Sequence, residues 1–96
     1  MALTVTSICP RQYDGRDGRR LYDALRPYLV AGSPVEVSFE GVVAVSTSFV
    51  NEGLIRLLDS FSYDTVRTVL RLTNVRPTVA RVIQRRFAFE AAREAA

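Results

Sequence analysis

Val35-Glu36-Val37-Ser38-Phe39, then Gly41 to Val45, then Ser46-Thr47-Ser48-Phe49-Val50-Asn51-Glu52: this stretch sets the architecture. Val35, Val37 and Phe39 alternate with Glu36 and Ser38, which predicts a strand of about five residues with one apolar and one polar face. The three hydroxyl residues precede an apolar stripe of Val50, Leu54, Leu57, Leu58 and Phe61 at helical spacing. A helix with a capped start follows from that pattern.

Outward from this unit, the same two periods recur. Toward the N-terminus, Leu3 and Val5 alternate with Thr4 and Thr6, which predicts a half-buried strand over residues 2–8. Two Asp-Gly steps at Asp14-Gly15 and Asp17-Gly18 favour turns, and Leu21, Ala24, Leu25, Tyr28 and Leu29 then recur at helical spacing. A helix from Asp17 to Val30 is expected, stopped by Gly32 and Pro34. Toward the C-terminus, Thr68 to Leu72 reads as a third strand, with Leu70 and Leu72 on one face and Arg71 on the other. Asn74 to Pro77 turns the chain into a last helix that packs Val79, Val82, Ile83 and Phe87 and then frays over residues 91–96.

The predicted order is β-α-β-α-β-α. Strands alternating with helices of this length imply right-handed crossovers and a mainly parallel sheet. A parallel sheet covered on both faces has nearly continuous apolar strands, whereas Thr4, Thr6, Glu36, Ser38 and Arg71 place polar groups on one face here. The expected fold is therefore α/β in two layers, a small sheet with the helices packed on one side. Three strands build little core, so a fourth short strand or a partner over the other face is expected.

Composition bounds the function classes. At 96 residues, 48% hydrophobic and 24% charged, the chain reads as one globular domain spanning 1–96. With Cys9 alone and no histidine, intramolecular disulfides are excluded, and the usual zinc, haem and triad chemistries lack their ligands or base. No cofactor, no metal and no catalytic residue is assigned. The longest apolar run, Val42 to Val45, is far too short to span a bilayer, and no secretory pattern opens the sequence, so a cytoplasmic protein with no membrane contact is expected. All thirteen basic residues are arginine against ten acids, a net charge of +3 and a modest excess for phosphate binding. Cys9, on an apolar segment, is expected to be buried and inert.

Chemistry concentrates in residues 39–52. Hydroxyls at the start of a helix after a parallel strand suit either plain N-capping or an anion-facing contact, including a phosphate carried by the serine itself. Glu52 lies one helical turn beyond Ser48, either matching the helix charge or recognising a partner, and Asn51 either caps locally or contacts a partner. A catalytic pair of Glu40 and Glu52 needs one shared cleft with shifted pKa values. Among the arginines, Arg86, Glu90, Arg93 and Glu94 alternate in sign as on a salt-bridged solvent face. Arg76, Arg81 and Arg85 are the candidate nucleic-acid contacts, without interleaved aromatics for base stacking. Arg11, Arg16, Arg19 and Arg20 cluster around the Asp-Gly turns, where Asp14, Asp17 and Asp23 offer ion pairs.

From Tyr13-Asp14-Gly15 through Val35-Glu36-Val37-Ser38-Phe39-Glu40-Gly41-Val42 and Ser48-Phe49-Val50-Asn51-Glu52 to Leu72-Thr73-Asn74, the sequence resembles the STAS-like domains. These are relatives of the anti-sigma factor antagonists, and include a bacterial STAS-like group of uncharacterised function. The resemblance implies a small regulatory module that docks on a serine kinase of the histidine-kinase-like ATPase type or on another regulator. It places Ser48 at the phosphoacceptor position, with Ser46 and Thr47 in the preceding loop. The chain departs from those antagonists at Ser46, where they carry an acid, and at Phe49, where they carry a small glycine; Phe49 is expected to anchor the core.

The functional expectation is a non-enzymatic protein–protein interaction module with partner-binding residues Glu40, Ser46, Thr47, Ser48, Asn51 and Glu52, and with Ser48 as the candidate phosphoacceptor. The alternative is an arginine-rich nucleic-acid-binding module of a regulator or mobile element. A third option is a homodimer formed through the polar sheet face or a strand edge.

Overall fold

The computed structural model describes residues 1–9 and 12–95, with the side chains of Glu94 and Ala95 outside that description. Arg11 of the arginine cluster, the Glu94 side chain of the alternating face and Ala96 of the tail therefore lie outside the described residues. The elements in chain order are β1 (Ala2–Thr4), α1 (Val5–Ile8), α2 (Gly15–Ala31), β2 (Val35–Ser38), α3 (Thr47–Gly53), a 3-10 turn (Ile55–Asp59), α4 (Tyr63–Val69), β3 (Leu70–Thr73) and α5 (Pro77–Ala95).

The sheet is parallel, three-stranded and ordered β1-β2-β3. Its register aligns Leu3, Val37 and Leu72 in one row and Ala2, Glu36 and Arg71 in the next. The first row, with Val35 and Leu70, faces the helices; the second, with Thr4, Ser38 and Thr73, forms the opposite, polar face. The fold is thus α/β with a small parallel sheet, mostly helical, and the alternation of β2 is what makes it one-sided.

Each helix that packs well carries a readable start or stop. Asp14 caps α2 by accepting from the Arg16 and Asp17 N–H groups, both at 3.1 Å. Gly32, at φ 67°, ends it in the left-handed region while the Ser33 N–H bonds Tyr28 O at 3.0 Å. Leu21, Leu25 and Leu29, one turn apart, are its buried face. Pro77 opens α5, which buries Val79 and Ile83.

Three expectations are corrected. Residues 2–8 are not one strand: β1 stops at Thr4, and Val5–Ile8 close a helical turn sealed by Cys9 N–H to Val5 O at 2.9 Å. The helix after Ser46 does not run to Phe61; α3 ends at Gly53 and the chain tightens into the 3-10 turn that buries Ile55 and Leu57. Thr68 and Val69 belong to α4, not to the third strand: Ser62 caps this helix, accepting from Thr65 N–H at 3.1 Å, and it passes directly into β3. Helix α5 extends through Ala95.

The core lies between the sheet and the helices, with Val5, Leu21, Leu25, Val37, Phe39, Val42, Phe49, Val50, Leu54, Leu57 and Val79 fully enclosed. Phe49 is a core anchor, as expected from its place after the hydroxyls.

Candidate functional site: the start of the third helix

The site is built where α2 and α3 begin side by side. Tyr13 adopts φ 50°, an uncommon conformation for a residue with a side chain. Its N–H donates to Asp17 Oδ2 at 2.6 Å, and the Gln12 N–H donates to the same oxygen at 3.0 Å. Asp17 is only 2% exposed, so this carboxylate is a buried clamp on the turn. The Tyr13 carbonyl in turn accepts from both the hydroxyl of Ser46, at 2.8 Å, and its N–H, at 3.2 Å. Ser46 Oγ also accepts from the Phe49 N–H at 3.0 Å and so caps α3, while the Phe49 ring meets Tyr13 edge-on at 5.5 Å.

The capping role therefore falls to Ser46, leaving Thr47 and Ser48 exposed on the first turn of α3. Ser48 Oγ makes no hydrogen bond to any described residue. Because Phe49 points wholly into the core, the Ser48 hydroxyl stands on the solvent side. Ser48 and Glu52 flank Gly15 of α2: a Cβ placed on that glycine would lie 3.8 Å from Ser48 Cβ and 3.8 Å from Glu52 Cγ. Glu52 Oε1 pairs with Arg56 Nη1 at 3.1 Å and lies 4.0 Å from Arg19 Nη2.

Asn51 points the other way. Its Oδ1 accepts from Arg86 Nε of α5 at 2.6 Å, and Arg86 also pairs with Glu90 at 3.0 Å, which in turn pairs with Arg93 at 3.3 Å. These residues line a polar cleft of about 590 Å³ between α3, the 3-10 turn and α5, with Arg56 and Asp59 on its opposite wall. Three arginines and three carboxylates share that cleft, so its charges balance internally. The salt bridges expected along this face are present, but Arg86, expected to face solvent, is only 22% exposed and ties α5 to α3.

The remaining candidates are separate. Glu40 is exposed at the turn before Gly41, whose φ is 85°, and its N–H donates to Ser38 Oγ at 3.3 Å. Among the described residues no bond joins Glu40 to Ser48, Asn51 or Glu52. Arg76, Arg81 and Arg85 are exposed and form no ion pair with any described residue. Cys9 is buried, its thiol donating to Asp17 O at 3.3 Å, and burial, aided by the Asp17 charge against that of Arg20, pushes the thiol up to about 11. Among the described residues, no three His, Cys, Asp or Glu side chains converge on a metal position, and no helix is long and apolar enough to cross a membrane.

Tyr13, Asp17, Arg19 and Arg86 complete this site; the sequence places Asp17 and Arg19 in the cluster around the Asp-Gly turns and Arg86 on an alternating-charge face, but puts none of the four in the partner-binding set. The Asp-Gly steps pointed to the turn that holds the first two, but nothing local connects that turn with Ser46. A family model described as a STAS-like domain of unknown function (DUF4325) matches residues 17–80. No curated protein and no solved structure matches the chain.

Proposed function

The chain belongs to the STAS-like domains of unknown function, and from that premise we propose that it is a non-enzymatic regulatory module that captures a protein partner through the start of α3, with Ser48 as the switch. The observation that carries this reading is the division of labour between two serines. Ser46 holds the helix, so Ser48 is exposed and free of structural hydrogen bonds to the described residues. A group that the fold does not use can be modified or contacted without unfolding the domain.

The neighbours of Ser48 give the switch a physical content. A phosphate there would add close to two negative charges one turn before Glu52, beside the Arg19 and Arg56 guanidiniums that now hold that carboxylate. The charge pattern of the docking surface changes while the core anchor Phe49 stays in place. The partner is a histidine-kinase-like ATPase or another cytoplasmic regulator, and the loop from Glu40 to Ser46 flanks its footprint.

The test is capture from lysate of the native host with wild type, Ser48→Ala and Ser48→Asp as baits, each checked for unchanged circular dichroism. Retention of a kinase-like or regulatory protein by wild type and Ser48→Ala, with loss in Ser48→Asp, is the expected result. Equal retention by all three removes the switch. The exposure of Arg76, Arg81 and Arg85, which form no ion pair with any described residue, supports a second reading, nucleic-acid contact at α5 and the residue before it. That reading requires steeply salt-dependent duplex binding that falls in the triple Arg→Gln variant.

A further inference from the structure

The outer edge of β3 carries an inference independent of Ser48. In the β2–β3 ladder the Phe39 N–H bonds Thr73 O at 2.9 Å, so Arg71 and Thr73 turn their backbone groups toward β2. Leu70 and Leu72 turn theirs outward. The Leu70 N–H is used by Val66 O as α4 ends, which leaves Leu70 C=O, Leu72 N–H and Leu72 C=O without partners among the described residues. Water can satisfy these groups, but they also form a short template for another strand.

Beside that edge lies an apolar groove. Leu70, Leu72, Val66, Tyr63, Ile83 and Phe87 line about 200 Å³ between α4, β3 and α5. Tyr63 is 37% exposed, and its ring meets Phe87 at 5.8 Å. Leu70 is covered, at 9% exposure, whereas Leu72 is half-buried, so the apolar wall opens beside Leu72 and the Tyr63 ring.

The occupant is indicated by what β3 already accepts on its other side. There β2 sets Val35 against Leu70, Val37 against Leu72 and Glu36 against Arg71. Arg71 is exposed on the polar sheet face and forms no ion pair with any described residue, so an acid arriving from the open side has a cation to meet. Arg67, which also lines the groove, adds a second positive charge, although Asp64 lies 3.4 Å from it. Self-pairing is less well matched: antiparallel pairing about Arg71 opposes two like charges, and pairing about Leu72 sets Arg71 against Thr73.

We propose that the outer edge of β3 docks an extended segment of a partner protein, with apolar residues alternating with an acid, as a fourth strand of the sheet. Its apolar side chains enter the groove over Leu70 and Leu72, its acid lies beside Arg71, and its backbone takes up the three free groups of Leu70 and Leu72.

The test is an NMR titration of the isotopically labelled chain, to millimolar concentration, with a capped peptide of residues 33–39, Ser-Pro-Val-Glu-Val-Ser-Phe. A second peptide carries lysine at the Glu position. The expected result is perturbation confined to residues 70–73, Tyr63 and Phe87, slowed exchange of the Leu72 amide, and about tenfold weaker binding of the lysine peptide. Arg71→Gln, a change at an exposed position, should bind both peptides alike. Absence of perturbation at β3, or equal binding of both peptides by the wild type, overturns the proposal. So does a concentration-dependent doubling of mass without peptide, which would assign the edge to a second copy of the chain.

Discussion

Three adjacent hydroxyls precede Phe49, yet only Ser46 accepts from the Phe49 N–H and donates to Tyr13 O. Ser46→Ala should therefore cost about 1–2 kcal/mol, while Ser48→Ala should stay within about 0.5 kcal/mol, both measured by urea unfolding. Equal costs would mean that the two serines share the cap. The sequence narrowed the cap to three positions; the deciding acceptor lies 33 residues away in a left-handed turn, beyond the reach of local pattern. Cys9 gives a second residue-scale prediction. Its thiol is raised from 9.0 to about 11, chiefly by burial. Above pH 9.0 the unfolded chain releases this proton while the folded chain keeps it, so the contribution is complete below pH 9.0 and is lost as pH rises through about 11. Stability of the wild type should thus fall more steeply than that of Cys9→Ala across this alkaline window in parallel urea titrations; parallel slopes would contradict the assignment.

Between helices, α2 and α3 approach closely, and glycines permit it. A Cβ on Gly18 would lie 2.5 Å from Phe49 O and 3.1 Å from Gly53 N, both backbone atoms that cannot turn aside. Gly18→Ala should destabilise by about 1–3 kcal/mol, because separating the helices outweighs the roughly 1 kcal/mol that alanine returns to a helix interior. At Gly15 the same methyl would meet only ordinary contacts at 3.8 Å, so Gly15→Ala should leave the melting temperature unchanged or raise it. A similar loss at both sites would show that helix packing is not the cause. Sequence periodicity revealed α2, β2 and α5 because each has one buried stripe. It failed at α1 and at the end of α4, where Val5, Thr6 and Ile8, and Thr68 and Val69, are β-branched residues that read as strand. The packing role of Gly18, inside the helix expected from Asp17, was hidden for a related reason: an Asp-Gly step looks the same whether glycine bends a chain or admits a second helix.

Across the whole molecule, the one-sided sheet was legible because Thr4, Ser38, Glu36 and Arg71 alternate with the apolar positions that face the helices. For the far half of α5, the packing of Phe87, whose ring meets Tyr63, was legible, but the polar tie through Arg86 was not, because it joins segments distant in sequence. Val79 and Ile83 bury the first half of this helix in the core, whereas beyond them the Arg86 side chain, 22% exposed, bridges Asn51 and Glu90 and lies over the Phe89 ring at 5.2 Å. Arg86→Met keeps the length and apolar stem but strands Asn51 Oδ1 and half of the Glu90 carboxylate, at a cost of about 1–3 kcal/mol. Lysine should not rescue it, since one ammonium cannot reproduce the Nε and Nη2 contacts made in two directions. The loss should also be local. In hydrogen exchange, amides of α5 beyond residue 86 should lose protection in Arg86→Met, while those of β2, the central strand, should follow only the change in global stability. Unchanged protection of that half-helix would mean that the charged cleft merely lines it, whereas uniform loss across β2 and α5 would make Arg86 part of a single cooperative unit with the core.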